Sequence, residues 1–296
     1  MPKAMKSGTR KRIAAAVAAV SAATALIVTS PGSSTAAVTA TPTLQAFGIT
    51  ADGLTMASFT TDKPGTLNWV KDVTGLSGDT KLVGIDHRVQ NGLMYGLGEK
   101  GGIYTITTPP TTPDVVVTKV SQLKVALYGT SFDIDFNPAA DRLRVISNNG
   151  QNLRHNLNDG TTVADSNLNI PPTTTAATGV TGAAYTNNDL VGSTGTTLTD
   201  VDTYNDQITI QSPPNAGNLV ATGLLGFDAN LEAGYDIFSS TTNGRTTSNL
   251  AFASLTPYGG RASFYSVDIL TGTPALIGTF PNLVPITDFT ITISGS

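Results

Sequence analysis

The sequence contains no cysteine. That excludes disulfides, a lipid-modified N-terminal cysteine, a thiol nucleophile and any thiolate-bound metal. Charge is scarce as well: Asp, Glu, Lys and Arg make up 13% of the 296 residues, about half the usual share. Glutamate occurs only as Glu99 and Glu232, histidine only as His87 and His155, and Trp69 is the single tryptophan. Few Lys, Glu and Arg means few strong helix formers. Thr, Gly, Asn and Ser fill the gap, and with Val they suit short strands joined by tight turns. At 40% apolar residues, the chain can still fill one large core.

The basic residues are unevenly placed. Lys3, Lys6, Arg10, Lys11 and Arg12 come first, with no acid among them. Ile13 to Val28 is a run of small apolar residues, followed by Pro31-Gly32 and a small-residue stretch to Ala40. This order describes a secretory signal peptide, with cleavage after Ala36, Ala37 or Ala40. The alternative is an uncleaved membrane anchor, since the apolar run is only just short of a spanning helix. The expected organisation is a signal peptide over 1–37, a linker over 38–43 and one domain over 44–296. Without the leader, 12 basic residues face 21 acidic ones, a net charge of −9. Such a chain is a poor partner for nucleic acid or an anionic membrane. A secreted bacterial monomer, free or bound to the cell wall, is expected.

Five segments share the pattern apolar, small, apolar, Asp, apolar. They begin at Val83, Phe132, Thr181, Ala233 and Pro285, with the fourth position at Asp86, Asp135, Ala184, Asp236 and Asp288. The intervals are 49, 49, 52 and 52 residues, and self-similarity at such a period marks a repeat architecture. Turn pairs such as Asn91-Gly92, Asn149-Gly150 and Asp159-Gly160 separate short apolar runs within the units, the strongest local hairpin signal. Four meandering strands in about 50 residues match a propeller blade. The chain ends complement each other: Val284 to Ser294 reads as a lone first strand, and Leu44 to Val73 as a unit lacking one. The fold class predicted is all-β, a β-propeller of about five four-stranded blades with the C-terminal strand completing the N-terminal blade. An open solenoid or a pair of β-sandwiches is the alternative.

The runs Leu82 to Ile106, Gly129 to Asn156 and Thr197 to Gly226 resemble a bacterial family catalogued as domain of unknown function 4394. Its most specific portion is Asp135-Phe136-Asn137-Pro138 with Arg142-Leu143-Arg144 and Gly150-Gln151-Asn152-Leu153-Arg154. The resemblance implies an exported, propeller-like protein and brings no activity or catalytic residue with it.

The repeat aspartates Asp86, Asp135, Asp236 and Asp288 are the candidate site. If the first strand of each blade lines the central channel, these carboxylates converge there. A cation such as Ca²⁺, which takes six to eight oxygen ligands, would relieve their repulsion. The competing reading has each Asp accepting backbone N–H groups of its own or the next blade. Asp86 and His87 are strand neighbours pointing to opposite faces, so they form no direct dyad. No Gly-x-Ser-x-Gly elbow accompanies either histidine, and both are read as structural or surface residues. Glu99, in the turn Gly98 to Gly101, reads as solvent-facing, and Trp69 as core or blade interface. Arg142 and Arg144 share a strand face with Asp141 near, which suggests a solvated ion-pair cluster. No catalytic or organic cofactor-binding residue is assigned. The function expected is a non-enzymatic module binding an extracellular ligand, glycan or protein through the loops of one propeller face. The alternative is a secreted hydrolase or lyase acting on polysaccharide through channel-mouth aspartates.

Overall fold

A computed structural model describes residues 41–293; the expected signal peptide and the first half of the linker lie outside them. Strands β1 (Gln45–Thr50), β2 (Thr55–Thr60) and β3 (Leu67–Thr74) come first. A second run follows as β4 (Leu82–Arg88), β5 (Leu93–Gly98), β6 (Gly102–Thr107) and β7 (Val115–Gln122). The third is β8 (Phe132–Asn137), β9 (Arg142–Ser147), β10 (Asn152–His155) and β11 (Thr162–Ala164). The fourth is β12 (Val180–Tyr185), β13 (Leu198–Asp202), β14 (Gln207–Gln211) and β15 (Leu219–Leu224). The last is β16 (Ala229–Thr242), β17 (Arg245–Pro257), β18 (Ser263–Val267) and β19 (Pro274–Thr279), before the closing strand β20 (Ile286–Ile291). Apart from one 3-10 turn at Pro214–Ala216, no helix occurs among the described residues.

The third, fourth and fifth runs are four-stranded antiparallel sheets paired in chain order. The remaining sheet has eight strands, ordered β20-β1-β2-β3-β7-β6-β5-β4. Its halves are antiparallel four-strand sets joined only by a short parallel pairing of Val73 and Thr74 with Val115 and Val116. As the chain ends suggested, β20 pairs antiparallel with β1, Ala46 opposite Ile291 and Gly48 opposite Phe289. That pairing covers two strand edges that would otherwise be open.

The innermost strands β4, β8, β12, β16 and β20 each neighbour the next, and β20 returns to β4. The ring is a β-propeller. Among the described residues, five apolar clusters lie around it, each shared by two neighbouring four-strand sets. Phe59, Phe252, Phe264, Phe280 and Phe289 fill one of them. Phe264 meets Phe289 edge-on at 4.9 Å and Phe59 at 5.3 Å between ring centres, a geometry that adds to simple burial. Because each sheet is covered on both faces, its inner strands need not alternate with polar residues. All six residues of β12 are buried accordingly.

The narrow channel demands small residues where inner strands approach. A Cβ on Gly234 would lie 2.6 Å from Asp288 Cα, and one on Gly182 would lie 2.8 Å from Tyr235 Cβ. Both contacts are shorter than real Cβ atoms tolerate, so glycine is a steric requirement of the ring at these two positions.

Candidate functional site

Carboxylates on the inner strands occupy two levels of the channel. At one level Asp86 Oδ2 accepts the Phe136 N–H at 2.7 Å, and Asp135 Oδ1 accepts the Tyr185 N–H at 3.2 Å. Asp236 Oδ2 accepts the Ile291 N–H at 2.6 Å. Each acceptor thus reaches the residue just after its counterpart on the next inner strand, so this level runs Asp86, Asp135, Ala184, Asp236, Thr290. Two residues earlier lies a second level, where Asp133 Oδ2 accepts from Ala183 and Asp288 Oδ2 from Ile85, both at 2.8 Å.

The expected four-aspartate group is therefore divided. Asp86, Asp135 and Asp236 have carboxylate oxygens within 4.8 Å of one another. Asp288 sits at the other level beside Asp133, and Thr290 takes its expected place. The Thr290 hydroxyl donates to Asp86 Oδ1 at 3.2 Å and lies 2.9 Å from His87 Nδ1. It bridges two neighbours whose side chains cannot meet directly. With the hydroxyl proton committed to Asp86, Thr290 accepts from the Nδ1–H tautomer of His87. This geometry holds a neutral, structural histidine, and burial lowers its pKa to about 4.

Burial dominates the electrostatics. Desolvation raises Asp86, Asp133 and Asp135 well above the usual carboxylate range, and the charges of neighbouring aspartates push in the same direction. Asp236 is raised to about 6 and Asp288 to about 8, again chiefly by desolvation. Asp288 also shares a hydrogen bond with Asp133, an arrangement in which one carboxyl keeps its proton. Chemically, the trio suits protons or a hard cation. Two oxygens bound to one Ca²⁺ ion stand no more than about 4.6–5.2 Å apart, and those of the trio lie within 4.8 Å of one another.

The second level opens into a depression at one end of the channel. Its lining includes Thr50, Lys81, Thr130, Ser131, Glu232 and Asp288. The starts of β4, β8, β16 and β20 contribute to it; that of β12 does not. Since inner strands begin here, the β1–β2, β5–β6, β9–β10, β13–β14 and β17–β18 turns lie on this same face, as do the links between sheets.

The sequence matches the family model for domain of unknown function DUF4394 over residues 55–290. The chain belongs to that family. No curated protein matches it in sequence. Among solved structures it is similar to a chain of a nidogen/laminin complex, at 11% identity and a TM-score of 0.49, over 86% of this chain and 100% of that one. A structural-genomics protein of unknown function from Bacteroides thetaiotaomicron VPI-5482 gives 11% identity and 0.46, over 85% and 68%. Virginiamycin B lyase from Staphylococcus aureus gives 13% and 0.39, over 75% and 65%. At such distances the likeness concerns the fold alone.

Other residues of this DUF4394 domain depart from expectation. Arg144 is not solvated: it is 1% exposed, between the β8–β11 and β12–β15 sheets. Its guanidinium donates to Asp165 and Asn152 at 2.7 Å, Asn215 at 2.9 Å and the Tyr185 phenol at 3.2 Å. Arg142 points partly to solvent and donates to the Ala140 and Asp141 carbonyls, while Asp141 pairs instead with Arg88 at 2.6 Å. Glu99 does not simply face water, since its carboxylate accepts the Thr80 and Lys81 N–H groups. Trp69 meets the blade-interface reading: half-buried, it packs against Phe47 at the edge of the cluster between the β1–β3 and β4–β7 strands. His155 is buried as a structural residue between Ser121 and Thr162. Sequence reasoning missed Asp133, although the Asp-x-Asp spacing of Asp133 and Asp135 sets both on one strand face.

Proposed function

We propose that this chain is an exported, non-catalytic binding module whose ligand, an extracellular glycan or protein, docks at the channel mouth. The observation carrying the reading is how the channel acids are used. Asp86, Asp135 and Asp236 are 3–6% exposed, and each already accepts a backbone N–H of the next inner strand. They lock the ring, and the open mouth above them is the accessible concave surface. A polysaccharide hydrolase needs two carboxyl groups flanking the scissile bond within reach of substrate, which buried ring acids do not offer. Export is part of the proposal and rests on the basic start and apolar run alone.

Incubating the full chain with a panel of bacterial and host glycans separates the readings. Retention without new reducing ends or unsaturated products is expected. Turnover that disappears in Asp135→Asn would instead make it an enzyme.

The same proposal gives the Asp86, Asp135 and Asp236 trio a Ca²⁺-like cation as its clamp. Saturation to about 100 times Kd adds roughly 2.7 kcal/mol, or about 5–10 °C in a domain this size. Melting at pH 8 with EDTA and then with excess Ca²⁺ is expected to show that rise, and Asp135→Asn with Asp236→Asn to abolish it. No rise in the unaltered protein would leave the trio as hydrogen-bond acceptors only.

A further inference from the structure

The mouth carries one basic and one acidic side chain toward solvent, Lys81 and Glu232, alongside the hydroxyls of Thr130 and Ser131. Asp288 below them has both oxygens committed to backbone N–H groups. Nothing in that balance selects a strongly ionic ligand. The lining is instead rich in groups that exchange hydrogen bonds with neutral hydroxyls.

Loops on the same face of the ring carry tyrosines that do not line the depression itself but are exposed well beyond the norm for large rings. Tyr128 is 45% exposed and Tyr204 is 73% exposed. Tyr204 lies in the β13–β14 turn, against Gly179 just ahead of β12; a Cβ on that glycine would lie 2.5 Å from Tyr204 Cβ. It therefore stands on the side where no inner strand walls the mouth. Its neighbour Thr203 bonds the Leu231 carbonyl at 3.4 Å, one residue before Glu232. Tyr128 precedes Thr130 and Ser131 by two and three positions. Its N–H donates to Gln151 at 3.1 Å, its carbonyl accepts from Ser147 at 2.8 Å and its phenol donates to Asn167 at 3.1 Å. The ring is held in place while a face stays open.

A hydroxyl-lined, charge-balanced depression on a face whose loops hold exposed aromatic rings matches one ligand chemistry. A pyranose presents hydroxyls at its edge and apolar C–H groups on its faces, and an aromatic ring is a rigid, low-entropy platform for such a face. We infer that the mouth binds the terminal ring of a neutral saccharide, with Thr130, Ser131 and Glu232 taking its hydroxyls and Tyr204 and Tyr128 its faces. This inference rests on the mouth being the binding face and adds the ligand class.

The test is a neutral-oligosaccharide array probed with the full chain, followed by titration calorimetry of the retained sugars. Tyr204→Ala and Tyr128→Ala are expected to weaken binding at least tenfold each, and Ser131→Ala severalfold. Leu93→Ala, on the opposite face, is expected to leave it unchanged. Unaltered melting temperatures separate lost contacts from lost fold. Retention of a peptide or protein probe that needs Tyr204, with no sugar bound, would overturn the saccharide and keep the mouth. Sugars bound with equal affinity by all the mouth variants would overturn both.

Discussion

The melting temperature of the protein, without added divalent cations, is expected to peak near pH 4–5 and to fall steadily as the pH rises to 8. Asp86, Asp133, Asp135, Asp236 and Asp288 hold protons more tightly folded than unfolded, because desolvation raises each of them. Unfolded, they titrate near the ordinary value of about 3.9. A group raised on folding contributes its full stability below the unfolded value and loses that contribution as the pH climbs through the folded one. For Asp236 the loss runs from about pH 4 to about 6, and for Asp288 from about pH 4 to about 8. Acids lowered on folding act in the opposite sense. Asp141, held down by Arg88, and Asp189, held down by Thr246 and backbone donors against the opposing cost of burial, lose stability as the pH drops below 4. The maximum falls between the two groups.

Ionising the channel is expected to cost several kcal/mol, on the order of 10–20 °C at about 2–4 °C per kcal/mol. Thermal unfolding followed by circular dichroism from pH 3.5 to 9 measures it, and Asp288→Asn is expected to flatten the upper limb. Excess Ca²⁺ is expected to restore more stability at pH 8 than at pH 5, since a cation competes with protons for the same oxygens. A level profile between pH 5 and 8 without cations would show that the channel acids are solvated rather than desolvated.

Replacing Arg144 by methionine, similar in length but uncharged, is expected to destabilise the protein by about 3–5 kcal/mol, the range for breaking a buried ion pair from one side. The Asp165 side chain is 5% exposed and bonds both Arg144 and Arg154. Without Arg144, Asp165 keeps a single charged partner, and Asn152 Oδ1 and Asn215 Oδ1 lose a charged donor. The Arg154 side chain is 32% exposed, so water screens and replaces it, and Arg154→Met is expected to cost about 1 kcal/mol or less. Urea midpoints at constant slope compare the two. Equal losses would mean that burial does not set the worth of the Asp165 pair.

Much of the propeller was legible because its units are local. Asn91-Gly92 reads as a hairpin turn and is one, with Gly92 at a φ of 70°. The repeat of about 50 residues reads as a blade because every sheet must restart with an inner strand. Even the closing strand was legible, since an unpaired strand at one end matched a missing strand at the other.

The levels of the channel were not legible, and the reason is the period of a strand. Asp288 and Thr290 are two residues apart, so both face the channel and the apolar pattern fits either one. Only ring closure decides, through the bond from the Ile85 N–H to Asp288 and the approach of Thr290 to His87. Arg144 makes the same point for the faces. Alternation places it with Arg142 on one side of β9, but a propeller sheet is covered on both sides, so the pattern does not say which arginine is buried. The sequence alone determined the fold class, the repeat and four of the aspartates that enter the channel. The tertiary structure alone decided which of them meet, which arginine is buried and where the channel opens, because these depend on how separate sheets stack around the ring.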